Sequence, residues 1–388
     1  MRSKTSIEGK QPTSKWLKTD EQIFSLLRMI EHLQVKNESF YPEGLFPSQR
    51  FHTLLPYRRE DNNIFFTALI VFTLQQAIPF LKGNSKTIAK SICSRAIETY
   101  PLYRSRRGLL TYNFWQNTPN KHFYPGYLFH KLNFLALPDD ADDTALIYLT
   151  KAHSSEDIAW VKEELSKHAN RSKAQIKNTF PQFKALKAYT TWFGKNMYLE
   201  FDFCVLCNVM YFVFSNKLSF SQQDEDTLSY LKAVIATDLH FSHPFQVSAS
   251  YPRTVIILYH IVRLITTFEI PRLNDLKPKI TTQLYQLEKG SHHLIDRILI
   301  SISIARLTGV CPEVRYTLPI THQNYYFFNG GLLTAFEHKV ARKLAPFGIF
   351  HLKHTCEAYY LTLLVEYEVF RERSSQISPV DVPKSPEG

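Results

Sequence analysis

The sequence predicts an all-α protein, an α/α toroid of six helical hairpins closed into a barrel. Three observations carry that prediction. Twelve segments of the 388-residue chain repeat apolar side chains at helical spacing: 21–35, 64–81, 85–103, 141–151, 154–167, 197–214, 222–236, 251–268, 273–288, 291–307, 332–344 and 352–372. No series of short alternating segments bounded by turn residues reads as a set of strands. With 44% hydrophobic and 14% aromatic residues, the chain can bury a large core, and sequence-adjacent helices joined by short connections pair as antiparallel neighbours.

The elements follow in order. Residues 1–20 are rich in Lys, Ser and Thr and read as a flexible tail. The first helix sets Ile23, Leu26, Leu27, Ile30 and Leu33 on one stripe. A loop with Pro42, Gly44 and Pro47 leads to Asp61-Asn62-Asn63, a capping signal for the apolar run 64–81, and 85–103 is a third helix. From Arg104 to Asp140 no long helical period is evident. That stretch nevertheless holds Tyr112, Phe114, Trp115, Phe123, Tyr124, Tyr127, Phe129 and Phe134, so it reads as an ordered aromatic flank rather than as disorder.

Beyond it, Ser155-Glu156-Asp157 opens the 154–167 helix, and 170–195 is polar. The most apolar helix, 197–214, is interrupted by Asp202 and Asn208; Asp202 either faces a cavity or bonds neighbouring backbone. Pro252 and Pro271 sit near helix starts. Tyr325-Tyr326-Phe327-Phe328 beside Gly330-Gly331 reads as a cavity rim or a buried plug. Residues 374–388, with three prolines and little apolar content, read as a disordered tail, which leaves 21–373 as a single barrel domain.

One stretch exceeds what folding requires. Leu137-Pro138-Asp139-Asp140-Ala141-Asp142-Asp143-Thr144-Ala145 crowds four carboxylates into five positions at the start of an apolar helix. One or two would cap the helix and meet its dipole. Four must couple, and coupled carboxyls do not all ionise together, so one keeps its proton to higher pH and becomes a general acid in a dry pocket. The alternative is a strongly capped helix with a solvated acidic rim.

Asp140 to Ala145 reads DxDDTA and resembles the proton-donating motif of class II terpene cyclases, which protonate a polyisoprene and let the cation cascade. The resemblance implies Asp142 as the acid, with Asp140 and Asp143 holding and polarising it. It also implies the helical toroid, a prenyl or polyprenyl substrate and no cofactor for the protonation itself. The Q-x5-W elements of the triterpene enzymes are absent, and the chain has room for one of their two helical domains. Asp139 to Asp143 also satisfies DDxxD, the Mg²⁺-binding pattern of class I prenyl diphosphate enzymes, though no second motif completes that site; Mg²⁺ enters the class II reading only with a diphosphate substrate.

Candidate substrate-binding residues are Tyr112, Phe114 and Trp115 of the aromatic flank, Tyr251, Tyr325 and Tyr326 as further ring walls, and Arg106 and Arg107 as a diphosphate clamp. The net charge of +11 comes without any nucleic-acid-binding signature. Five cysteines without a disulfide pattern, and no secretory signal or apolar run of membrane-spanning length, point to a cytoplasmic protein, with peripheral membrane contact left open. His240 and His243 lack a third ligand for a metal. Two further readings use the same helices: a carbohydrate-active toroid working through paired carboxylates, and a non-catalytic scaffold.

Overall fold

The structure, a computed structural model, describes residues 19–122, 137–194, 197–319, 325–334 and 337–376. Its helices are α1 (Thr19–Leu33), α2 (Phe65–Ala77), α3 (Gly83–Ile97), α4 (Ala141–Thr150), α5 (Ser155–Lys167), α6 (Phe203–Ser215), α7 (Gln222–Ala236), α8 (Leu239–Ser242), α9 (Pro244–Val247), α10 (Thr254–Thr267), α11 (Lys277–Gly290), α12 (Leu294–Thr308), α13 (Lys339–Leu344) and α14 (Glu357–Ser375). Helix dominates, as predicted. Most of the predicted tails, together with Phe123, Tyr124, Tyr127, Phe129 and Phe134, lie outside the described residues.

The distribution of apolar residues decides which helices go inside. α2, α6 and α10 bury nearly every residue, because a helix apolar on all sides has no face to offer water. α1, α3, α7 and α11 are amphipathic and bury one stripe. In space α2 packs on α4, α4 on α6, α6 on α10, α10 on α12, α12 on α14, and α14 returns to α2. The amphipathic helices lie against this closed sequence of neighbours: α3 on α2, α7 on α6, α11 on α12 and α1 on α14. The buried side chains form one continuous apolar cluster. No helix among the described residues is long and apolar enough to cross a membrane.

The structure also contains strands that the sequence reading lacks. β1 (Ser48–Phe51), β2 (Arg58–Asp61), β5 (Phe328–Gly331) and β6 (His351–Thr355) form an antiparallel sheet in the order β2-β1-β6-β5, and β3 (Asp139–Asp140) pairs with β4 (Trp192–Phe193). Each is two to five residues long, too short for alternation to declare itself. Three predicted helices are also corrected. Segment 332–344 retains only six helical residues, in α13, and 352–372 begins in β6. Segment 197–214 becomes helical only at Phe203, where the Asp202 side chain caps the first turn by accepting from the N–H groups of Cys204 and Val205.

Candidate active site

Three local devices fix the acidic stretch. Asp140 pairs with Trp192 across β3 and β4 and bridges Tyr112 on its other side, so the chain enters α4 held from both edges. The Asp140 carboxylate caps α4, accepting from the Asp143 N–H at 2.8 Å. The Thr144 hydroxyl donates to the Asp140 carbonyl at 2.7 Å and accepts from the Tyr112 N–H at 3.0 Å. The four carboxylates then part company. Asp139 turns to the Thr111 hydroxyl, 2.6 Å away, whereas Asp140, Asp142 and Asp143 all border a cavity of about 230 Å³.

Asp142 is held by donors from two distant helical regions. Asn208 Nδ2, on α6, donates to Oδ1 at 2.6 Å, and the Tyr251 hydroxyl, just before α10, donates to Oδ2. Asn208 is itself fixed by Arg263 of α10, whose Nη2 donates to Asn208 Oδ1. Arg263 is fully buried, and its guanidinium lies over the Phe72 ring at 4.7 Å. Burial raises the Asp142 pKa above the ordinary aspartate value, while the Tyr251 and Asn208 hydrogen bonds and the Arg263 charge oppose that rise.

Asp143 sits in the opposite condition. It is 1% exposed, and neither carboxyl oxygen has a hydrogen-bond partner among the described residues. Burial, with the neighbouring Asp140 and Asp142 charges, holds its pKa well above the usual carboxylate range. Burial likewise pushes Asp140 up to about 7, against the hydrogen bond it receives from the Asp143 N–H. Burial and the adjacent charges thus favour the neutral form of Asp143, while Asp140 accepts from its backbone N–H. Glu200 also borders the cavity; burial and the Asp202 charge push it up to about 8, and it accepts from the Tyr198 hydroxyl at 2.8 Å.

Aromatic rings make the rest of the wall. Phe328 on β5 lies 5.1 Å from Phe65, 5.4 Å from Phe114 and 5.5 Å from Tyr251 between ring centroids. The same ring lies 5.3 Å from His354 on β6, which also borders the cavity. The wall thus runs from the acid to an imidazole. Behind His354 sits Asp61, buried and accepting from Arg50 at 2.7 Å, Trp115 Nε1 at 2.9 Å and Asn63 at 2.8 Å. His354 Nδ1 lies 2.9 Å from Asp61 Oδ2; since the carboxylate can only accept, Nδ1 carries the hydrogen. Against its burial, His354, Arg50 and Trp115 hold the Asp61 carboxyl well below the ordinary range. His354 Nε2 faces Gly330, where an added Cβ would come within 3.2 Å of it.

Of the residues singled out in the sequence, the structure brings Asp140, Asp142, Asp143, Phe114, Trp115 and Tyr251 together. The others are elsewhere. Arg106 and Arg107 are exposed, away from the cavity lining, and Arg106 donates to Asn117. The Tyr112 ring packs on Tyr148 and contributes to the site through its backbone. The Tyr325 hydroxyl donates to Asp296, and Arg253 covers both the Tyr325 and Tyr326 rings, so neither lines the cavity. Asp202 bonds backbone N–H groups and the Ser248 hydroxyl rather than facing the cavity. Sequence reasoning missed Phe65 and His354, named Phe328 only within a candidate rim or plug and Asp61 only within a capping signal, and noted Asn208 only as a polar break in an apolar helix. A DDxxD magnesium site does not fit: Asp139 points to Thr111, away from the others, and no metal-holding group of three His, Cys, Asp or Glu occurs among the described residues.

The chain matches no family model, no curated protein and no solved structure.

Proposed function

We propose that this is an α/α-toroid enzyme that starts carbocation cyclisation of a prenyl or polyprenyl substrate by protonation from Asp142. The closed sequence of inner helix neighbours supports the six-hairpin toroid. The observation that carries the chemistry is the asymmetry between two adjacent acids facing one ring-walled cavity. Asp143 keeps a proton, but nothing would stabilise the anion it left behind. The anion of Asp142 is stabilised by Asn208, Tyr251 and Arg263. An alkene is a feeble base, so the effective donor is the acid whose conjugate base is best held when the proton leaves.

In the proposed step Asp142 gives its proton to one carbon of a terminal double bond, whose π electrons form the new C–H bond. The cation left on the other carbon is attacked by the next double bond. Phe65, Phe114 and Phe328 present π faces to the migrating charge and exclude water. We assign the final proton loss to His354 Nε2, oriented by Asp61, so that the product is an isomer of the substrate. His354 then releases that proton to solvent, and a proton from solvent, relayed through Asp143, returns to Asp142, so that the cycle closes. No cofactor is needed for these transfers. A cytoplasmic setting suits the five free thiols.

Incubation with farnesyl and geranylgeranyl diphosphates, followed by extraction and mass spectrometry, tests the proposal. Asp142→Asn is expected to lower product formation about a thousandfold. Equal product from wild type and variant would end it.

A further inference from the structure

Seven of the fourteen large apolar side chains exposed among the described residues come from stretches that meet on one side of the molecule. Leu54 and Leu55 occupy the turn between β1 and β2, with Leu54 68% exposed. Val340 and Leu344 lie four residues apart on one face of α13, and Phe347 and Ile349 follow it. One imidazole ties the two stretches together. His52 Nδ1 accepts from the Leu54 and Leu55 N–H groups, both at 3.0 Å, so Nε2 carries the hydrogen and donates to the Ile349 carbonyl at 2.9 Å. Leu332, the seventh, is held alongside by its N–H to the Phe350 carbonyl at 2.8 Å.

The same α13 carries Lys339, Arg342 and Lys343, all exposed and without an ion pair among the described residues. Glu337, the nearest carboxylate in sequence, is taken by Lys177. These three cations border a cavity of about 650 Å³ that shares Glu200, Ala249 and Thr334 with the acid cavity. Scattered apolar side chains on a surface are ordinary, but a contiguous patch marks a contact. Protein interfaces are depleted in lysine at their apolar centre, whereas segments lying in a membrane interface mix Lys and Arg with Phe and Leu.

We propose that this face docks on an anionic lipid surface. Phe347, Val340, Leu344 and the Leu54-Leu55 turn enter the acyl boundary, and Lys339, Arg342 and Lys343 lie among the headgroup phosphates. The larger cavity then opens toward the bilayer, from which an apolar ligand can enter without crossing water. The docking rests on the patch alone and stands whether or not Asp142 is an acid catalyst.

Sedimentation of the full chain with phosphatidylcholine vesicles, plain or mixed with phosphatidylglycerol, tests it. Binding is expected to the mixed vesicles, weakly to the neutral ones, and less at high salt. Replacing the three cations together by Glu (Lys339→Glu, Arg342→Glu, Lys343→Glu) should weaken binding to mixed vesicles on the order of a hundredfold or more. Val340→Ser with Phe347→Ser should weaken it at unchanged charge, while Phe220→Ser, an exposed position elsewhere, should not. Circular dichroism establishes that each variant is folded. Failure to bind mixed vesicles, binding that survives both patch variants, or a patch that instead pairs two copies of the chain in sedimentation velocity would each overturn the proposal.

Discussion

At the level of single residues, Asp142 is defined by what it touches more than by its place in a motif. Tyr251→Phe removes one donor from its anion, which makes Asp142 a weaker acid and raises its pKa further. The expected result is a roughly tenfold lower kcat, with the high-pH limb of the rate profile displaced upward, measured on whichever diphosphate is turned over. Asn208→Leu acts differently because it strips a partner from two buried groups at once, Asp142 and Arg263. Unfolding in urea should show a loss of about 1–3 kcal/mol beyond the kinetic defect. A variant of unchanged stability would mean that Arg263 finds another acceptor.

At the level of elements, the start of α4 serves as both cap and acid carrier, and the two roles separate by substitution. Asp140→Asn keeps an oxygen that can accept from the Asp143 N–H, whereas Asp140→Ala does not. The alanine variant should be about 1 kcal/mol less stable than the asparagine variant. Both remove a negative charge beside Asp143 and Asp142, so both should lower the pH at which activity declines. If the profiles of the two variants stay at the wild-type position, the coupling among the three carboxyls is absent.

The acidic element was also the most legible part of the chain, because four carboxylates at one helix start exceed any capping need, and that excess is local. The partners were not local. Asn208 lies 66 residues from Asp142 and Tyr251 lies 109 away, separations at which periodicity says nothing of contact. β5 and β6 were hidden for another reason. Phe328 and His354 sit in four- and five-residue strands, the first in a stretch read as loop and the second at the start of a segment read as helix, and pairing with each other and with β1 makes them extended. The rim was therefore read as loop at Phe328 and as helix at His354, where it is sheet. The long helices were legible because ten or more residues of one period outweigh local exceptions.

At the level of the whole molecule, the interior holds carboxyls that prefer to be neutral. Burial puts Asp202 at about 6, Asp140 at about 7 and Glu200 at about 8, against about 4 in the unfolded chain. A raised folded value means the native state binds the proton more tightly. That contribution is fully present below about pH 4 and is lost as pH rises through each folded value. Asp61 runs the other way, its contribution present from about pH 4 upward and lost only as pH falls through its depressed folded value. The urea midpoint should therefore decline as pH rises from 5 to about 8, by up to about 1.4 kcal/mol per pH unit for each group still losing its proton. Glu200→Gln should flatten the upper part of that decline. A midpoint that does not move between those limits would mean that these carboxyls are ionised in the folded state throughout.

Arg263 has a consequence for the whole interior. Two of its guanidinium nitrogens have no partner among the described residues, and its one hydrogen-bond acceptor here is a neutral amide. A fixed cation inside an apolar body calls for about one opposite charge nearby. Of the clustered acids Asp142 is the one that feels this cation, and Glu366 faces it from another helix. The arginine thus favours the charged form of Asp142 over the neutral one. An apolar replacement such as Arg263→Met would leave Asp142 holding its hydrogen to higher pH.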